Sequence, residues 1–554
     1  MPREIQDNPI DGATMSALVI ALSQDDPWLG DIPGNAQRVI QRAQQARDAL
    51  GADLVVFPEL FLTGYPPEDL LLRADMIRLV QEAMHRLLDA IQGIHVVLGM
   101  PHHAADPKPY NSAVVFRDGE IIDLYHKHIL PNYNVFDEWR YFLPGTEPCV
   151  FTLKERRLGV TICEDIWSAV PASRALAAGA ELLININASP YHHDKSSERQ
   201  RILKARCTET GLPIAYVNMV GGQDELVFDG QSLLLDRTGR VVFHDKAFIP
   251  SLSAFTWQDD DTLVPHQPSI MPPDDEVELV YQALRLGIRD YVRRNGFQGA
   301  LVGLSGGVDS ALTLALATDT LGAGDVMAVL MPSPHTSTMS TEDALAEVSA
   351  LGVRHEILAI NEPMHAFQQV LAPVFAGLPQ DSTEENIQAR CRGILLMALS
   401  NKLGKMVLAT GNKSEMACGY TTLYGDLVGG FAPLKDVPKH MVYQLARYRN
   451  SLGPVIPERV LIRPPSAELR PDQKDSDSLP PYEILDPILE LYVEQELPIE
   501  AIVARGYDEP TVHRVAAMVK KAEYKRRQAP PGIKISRRAF GRDRRYPITS
   551  AYPW

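Results

Sequence analysis

The stretch that most constrains this chain is Gly303-Leu304-Ser305-Gly306-Gly307-Val308-Asp309-Ser310. It follows the apolar run Ala300-Leu301-Val302 and precedes Ala311-Leu312-Thr313-Leu314-Ala315-Leu316-Ala317. The first run reads as a buried parallel strand and the second as a helix, with a glycine turn between them. This arrangement makes an anion site. Glycine lets the backbone come close to a phosphate, and the free N–H groups of the first helical turn point at it. Ser305 and Ser310 add hydroxyl donors. No Lys-Ser/Thr pair ends the stretch, so it is not a Walker A loop. Without the lysine that holds the β- and γ-phosphates, and with Asp309 beside the cradle, the site fits cleavage of ATP between the α- and β-phosphates.

The octapeptide resembles the S-G-G-x-D-S signature of the PP-loop ATP pyrophosphatases. That resemblance implies ATP on Gly303, Leu304, Ser305, Gly306, Gly307, Val308, Asp309 and Ser310. It also implies an enzyme that adenylates a carboxylate or carbonyl and releases pyrophosphate.

At 554 residues the chain exceeds one core, and two large domains are expected. Its formal charge of −16 argues against general nucleic-acid binding. The five cysteines, at 149, 163, 207, 391 and 418, form no CxxC pair and no metal-ligand spacing. They suggest a reducing cytosol, in which each thiol is judged singly. No apolar run approaches membrane-spanning length, so a cytoplasmic protein without a membrane partner is expected. Residues 1–14 are polar and are read as a disordered leader, with Met15 an alternative start.

The span 15–262 forms the first expected domain. Strands are predicted at 15–23, 53–59, 94–100, 157–163, 182–187 and 214–219, and a hairpin turns around Asp118-Gly119. Helices are predicted at 35–50 and about 68–92. Early alternation of strand and helix, followed by hairpins, suggests an α/β sandwich of two sheets. Glu59, Lys127 and Cys163 each sit at or just past the end of an apolar strand, where functional groups gather in α/β folds. Together they offer a base, a cation and a nucleophile, as thiol-dependent amide hydrolysis requires. Taken singly, each also has a structural explanation: packing for the Cys, a surface turn for the Glu, solvation for the Lys.

Three local sequences change that balance: Phe57-Pro58-Glu59-Leu60, Lys127-x-x-Leu130-Pro131-Asn132-Tyr133 and Cys163-Glu164-Asp165-Ile166-Trp167. In this order they resemble the nitrilase/amidase family. The resemblance implies a nitrilase-like αββα sandwich in which Glu59 is general base, Lys127 stabilises the tetrahedral intermediate and Cys163 is nucleophile, with Glu164 in support. The segment Ala188-Ser189-Pro190-Tyr191 through Lys195 is similar to the glutamine-recognition segment of glutaminase members. It implies glutamine contacts from Tyr133, Ser189 and Lys195.

Residues 258–275 are acidic and Pro-rich, and 263–275 is read as the linker to a second domain at 276–554. There a helix at 276–295 leads into the opening stretch. Strands follow at 326–331, 355–360 and 405–410, with a long helix at 383–403. The alternation predicts a doubly wound, Rossmann-like parallel sheet with a nucleotide at its carboxyl edge. Ser333–Asp343 is either a lid over the phosphates or the N-terminal region of a helix beginning near Thr341.

Thr410-Gly411-Asn412-Lys413-Ser414-Glu415, the stretches 419–426 and 429–436, and Glu523-Tyr524-Lys525-Arg526-Arg527-Gln528 resemble the glutamine-dependent NAD+ synthetases. The resemblance puts ATP also on Thr410, Mg2+ on Asp309 and Glu415, and deamido-NAD+ on Asn386, Glu415 and Lys525. It implies a homo-oligomer that amidates deamido-NAD+ to NAD+ with glutamine and ATP, passing ammonia between domains. Residues 520–545 hold eleven Lys/Arg and two acids, a tail that either meets RNA or serves a subunit surface and substrate phosphates. The alternatives are another PP-loop amidotransferase, a tRNA-modifying ATP pyrophosphatase, or a scaffold without activity.

Overall fold

The computed structural model describes residues 17–104, 106–270, 275–471 and 473–552. The expected leader, residues 1–14, lies outside the described residues.

The first half is a two-sheet sandwich. Its strands are β1 (Leu18–Gln24), β2 (Leu54–Val56), β3 (His95–His102), β4 (Tyr110–Arg117), β5 (Glu120–His126), β6 (Cys149–Leu153), β7 (Arg156–Ile162), β8 (Leu182–Asn187), β9 (Ile214–Asn218), β10 (Val220–Gln223), β11 (Leu226–Asp229), β12 (Leu233–Leu235), β13 (Val241–His244), β14 (Ser251–Trp257) and β15 (Leu263–Pro265). One sheet runs β15-β14-β1-β2-β3-β4-β5, the other β13-β12-β9-β8-β7-β6, and β10 pairs with β11. The period of two sorts each strand's side chains. Leu18, Ile20 and Leu22 enter the layer between the sheets with Val160, Ile162, Ile184 and Val217. Ala21 turns outward under the helix Ile32–Leu50.

That helix starts earlier than its periodicity predicts. Asp31 accepts a bond from Gly34 N–H, and Pro33 fits a first turn that needs no amide donor. The helix predicted over about 68–92 is interrupted. Glu68–Leu72 is a 3-10 turn, Arg73 is extended, and Ala74–Ala90 is the helix proper.

The expected linker is shorter than predicted. Leu263–Pro265 pairs antiparallel with β14, and Ile270 N–H donates to His244 O. Residues 263–270 therefore belong to the first domain; composition misses this because an edge strand tolerates proline and acids.

The second half is built on four parallel strands, β16 (Ala300–Gly303), β17 (Val326–Leu330), β18 (Arg354–Ile357) and β19 (Met406–Leu408), in the order β18-β17-β16-β19. The order reverses between β16 and β19, which opens a crevice at their carboxyl ends. Cores lie on both faces of this sheet. The stretch 333–343 resolves toward helix. Ser337 caps the helix Thr338–Leu351, which starts three residues before the predicted Thr341.

The two halves share apolar packing. Val220, Val227, Tyr191 and Phe248 join the cluster of Leu284 and Ile288 from the helix Glu276–Arg294. The basic tail lies along this seam. Lys534 N–H donates to Glu225 O, His193 N–H donates to Ile535 O, and Arg542 pairs with Glu68. Its cations are largely tied up internally: Lys534 pairs with Asp543, while Arg526 and Arg544 both pair with Glu523. Among the described residues no helix is long and apolar enough to cross a membrane.

Candidate active sites

Glu59 follows β2, Lys127 follows β5 and Cys163 follows β7, so the ends of three strands from two sheets bring these residues together. Lys127 Nζ lies 2.7 Å from Glu59 Oε1. Glu59 is fixed on its other sides by Asn111 Nδ2, which donates at 2.7 Å, and by Ala188 N–H at 3.0 Å. Cys163 opens the 3-10 turn Cys163–Trp167 with φ +43°, a left-handed conformation that is uncommon outside glycine. Burial pushes its thiol well above the ordinary range. The nearby Glu59 charge adds to this, and Lys127 opposes it. Burial thus favours the protonated thiol over the thiolate.

A fourth residue, Glu138, is not singled out by the sequence. It opens a helical turn after the 127–133 segment, and Lys127 Nζ reaches its Oε1 at 2.9 Å. Tyr65 Oη donates to the same oxygen at 3.1 Å. Burial pushes the Glu138 carboxyl up to about 7, against the pull of Lys127. Lys127 itself stays well above its ordinary value, because the two carboxylates outweigh its burial. Asp137-Glu138 looks like any acidic helix start, and only the fold reveals that it faces a buried ammonium.

The three expected glutamine contacts surround this centre. Half-exposed Tyr133 donates to Glu164 Oε1 at 2.9 Å. Buried Ser189 accepts from Arg199 Nη2 at 3.3 Å, and Arg199 pairs with Asp229 at 2.8 Å. Lys195 Nζ sits 4.0 Å from the Trp167 ring centroid, and burial lowers its ammonium's proton affinity.

The second site is a cavity of about 660 Å3 at the β16/β19 crevice. Gly303, Leu304, Ser305, Gly307, Val308, Asp309 and Ser310 line it, as do Thr410, Asn386, Glu415 and Lys525. Gly306 does not line it. Its φ is +81°, and a Cβ there would stand 2.3 Å from Ser340 O, so this position needs glycine for the turn and for close packing. Ser310 Oγ donates to Gly307 O at 3.0 Å and accepts from Ser305 N–H at 3.2 Å, so it shapes the loop.

Asp309 and Glu415 meet across the crevice at Lys439, which the sequence reading did not name. Lys439 Nζ lies 2.5 Å from Asp309 Oδ2 and 3.4 Å from Glu415 Oε1. Asn412 Nδ2 donates to Asp309 Oδ1 at 2.9 Å, and Glu415 closes a capping box with Asn412. Burial and the Asp309 charge push the Glu415 carboxyl up to about 8. Buried Asp475 adds a third acid whose charge reaches Lys439. At the far end, Asn386 Oδ1 accepts from Thr422 Oγ1 at 2.8 Å, and Lys525 Nζ donates to Gly419 O at 2.8 Å and to Thr421 O at 2.7 Å.

A sandwich carrying Cys, Lys and two Glu, fused to a parallel sheet with a cavity at its glycine turn, fits a two-domain ATP-dependent ligase fed by an amide hydrolase. The carbon-nitrogen hydrolase family matches residues 19–248, and the NAD synthase family matches residues 280–529. The glutamine-dependent NAD(+) synthetase of Acinetobacter baylyi is 47% identical over 97% of this chain and 99% of its own length. The enzyme of the same name from Thermotoga maritima is 45% identical, with 97% and 99% covered. The solved glutamine-dependent NAD+ synthetase of Acinetobacter baumannii, in complex with ADP, superposes with a TM-score of 0.79 at 44% identity, covering 96% of this chain and 98% of that one. The chain belongs to the family of glutamine-dependent NAD+ synthetases.

Proposed function

We propose that the Cys163 centre releases ammonia from glutamine and that the β16/β19 cavity uses it to amidate deamido-NAD+. The observation that carries the first half is one buried ammonium, Lys127, held between Glu59 and Glu138 beside the buried Cys163. Glu59 takes the thiol proton as sulfur attacks the carboxamide carbon. Lys127 stabilises the oxyanion, and ammonia leaves with a proton returned by Glu59. Water then cleaves the thioester to glutamate. Tyr133, Ser189 and Lys195 hold the amino-acid end of glutamine.

In the second site the loop 303–310 and Thr410 hold ATP, while Asn386, Glu415 and Lys525 hold the dinucleotide. The nicotinate carboxylate attacks the α-phosphorus, the α–β bond breaks and pyrophosphate leaves. Ammonia attacks the acyl carbon, loses a proton and displaces AMP.

The donor chemistry fits Mg2+ on Asp309 and Glu415, because hard carboxylate oxygens stand at the phosphate cradle. The two partly exposed acids share one lysine there and line the open cavity. When bound, the ion neutralises charge on the departing pyrophosphate.

The chain acts as a homo-oligomer in this reading. The helix Asn361–Phe375 buries only Met364 and leaves Phe367, Val370 and Val374 exposed on one stripe, with Leu378 just beyond. In this reading ammonia passes directly between the halves of a cytoplasmic enzyme without a nucleic-acid partner.

The test is one assay with ATP, Mg2+, glutamine and deamido-NAD+. NAD+, AMP and pyrophosphate should appear in equal amounts, and ADP in place of AMP would overturn the reading. Cys163→Ala should abolish glutamine-supported synthesis while ammonia-supported synthesis continues.

A further inference from the structure

We propose that Asp165 is a positioning residue for glutamine hydrolysis, clamping the backbone around Lys127 to the backbone around Cys163. The inference rests on the reading of Cys163 as nucleophile and extends it to a residue that does not itself touch substrate.

Asp165 is fully buried, and both of its oxygens are doubly used. Oδ1 accepts from His128 N–H at 3.1 Å and from Ile129 N–H at 2.9 Å, the two amides that follow Lys127. Oδ2 accepts from Ile162 N–H at 3.1 Å, the amide before Cys163, and from Tyr125 Oη at 2.8 Å. Tyr125 and Lys127 lie at the end of β5 in one sheet, while Ile162 ends β7 in the other. A single carboxylate therefore joins the two sheets at the edge where the cation and the nucleophile must meet.

Two physical arguments make this more than a buried hydrogen-bond cluster. The first is strain. Cys163 holds φ +43°, a conformation that is strained outside glycine and persists only where neighbours fix it. Asp165 sits two residues on and bonds the amide just before the strained residue, so it closes the turn that aims the thiol. The second is valence. Four donors converge on Asp165, and three of them are backbone amides, which can only donate; the fourth is the buried Tyr125 phenol. An ionised carboxylate satisfies all four; burial pushes the Asp165 carboxyl above its ordinary range, and the bonds from Ile129, Ile162 and Tyr125, with the Lys127 charge, pull against that. Asparagine has only one acceptor oxygen, and whichever way it is turned its NH2 faces at least one backbone N–H. Isosteric replacement should therefore release one side of the clamp and let Lys127 drift relative to the thiol. A displacement near 1 Å costs about 10²-fold in rate.

The experiment compares Asp165→Asn, Asp165→Glu, Tyr125→Phe and Cys163→Ala in the full-length enzyme. Glutamine-supported and ammonia-supported NAD+ formation are measured separately, with kcat and the KM for glutamine resolved. In Asp165→Asn the glutamine-supported kcat should fall about 10²-fold, with KM for glutamine within about threefold of the parent and ammonia-supported kcat unchanged. Asp165→Glu, which keeps the charge and two acceptor oxygens, should recover about tenfold of that loss. Tyr125→Phe removes only the phenol and should stay within about threefold of the parent. If Asp165→Asn does not fold, Asp165→Glu still reads the proposal through a loss of kcat at constant KM. A parental kcat in Asp165→Asn would overturn the clamp. So would a loss confined to KM, or an equal fall in ammonia-supported turnover. Glutamine-supported synthesis surviving in Cys163→Ala would instead overturn the underlying assignment of the nucleophile.

Discussion

Lys439 Nζ lies 2.5 Å from Asp309 Oδ2 although 130 residues separate the two in the chain. The contact closes the crevice between β16 and β19, because Asp309 rides the helix after β16, and Glu415, the lysine's second partner, rides the helix after β19. Lys439 is itself almost wholly buried, so its charge acts at low dielectric on whatever the carboxylates hold.

Removing that charge should disable activation of the acceptor. Lys439→Met keeps the stem's packing and removes the ammonium that Asp309 and Glu415 share. Both glutamine- and ammonia-supported synthesis should fall by at least about 10²-fold, followed by pyrophosphate release. Glutamine hydrolysis at Cys163 should continue. Pyrophosphate release within about threefold of the parent would show that the lysine is only structural.

Glu138 should matter as much as the residues the motifs name. In Glu138→Gln, Lys127 loses one of its two charged partners, and glutamine-supported turnover should drop about 10²–10⁴-fold while ammonia-supported turnover stays. Glu138→Ala should in addition destabilise the first domain by about 3–5 kcal/mol, since it leaves a buried charge short of a partner. Denaturant titration separates the two effects.

The seam between the halves should carry a pH signature. Glu494 of the second half meets Lys413 at 2.6 Å and His193 of the first half at 3.8 Å. Burial pushes the Glu494 carboxyl up, but Lys413 and His193 outweigh it and hold it at about 2, below its ordinary 4.5. Burial likewise depresses His193, and Glu494 with Glu276 outweighs it, leaving the imidazole above its ordinary 6.5. The signs follow from linkage. The Glu494 contribution is present above pH 4.5 and is lost as pH falls toward about 2. The His193 contribution is present below pH 6.5 and is lost as pH rises through its higher folded value. The seam is therefore most stable between these limits, and Glu494→Gln should flatten both flanks of a Tm-against-pH curve. Superimposable curves for parent and variant would rule the bridge out as a source of stability.

The exposed stripe on the helix Asn361–Phe375 should hold subunits together. Val370 is 75% exposed and Val374 72%, an unusual cost unless a partner covers them. A Val370→Asp, Val374→Asp variant should sediment as a smaller species than the parent at equal concentration. An unchanged sedimentation coefficient would move the interface elsewhere.

What could be read in the chain was local. The strand–glycine–helix at 300–317 appears where its pattern puts it, because a buried strand, a φ > 0 glycine and an apolar helix are each written in neighbouring residues. Helix starts and the far side of the linker were less legible. Capping by Asp31 and pairing of β15 depend on a few hydrogen bonds that composition does not encode.

The sequence by itself therefore determined the strand–glycine–helix at 300–317 and the Glu59, Lys127 and Cys163 positions at strand ends. Tertiary structure alone decided that Glu138 shares Lys127, that Lys439 bridges Asp309 and Glu415, that Asp165 binds both sheets, and that the basic tail lies along the seam between the halves. The reason is physical. A motif records what its own backbone must do over a few residues. A buried charge is defined by whichever distant group the fold brings within about 3 Å of it, and no local pattern fixes that partner.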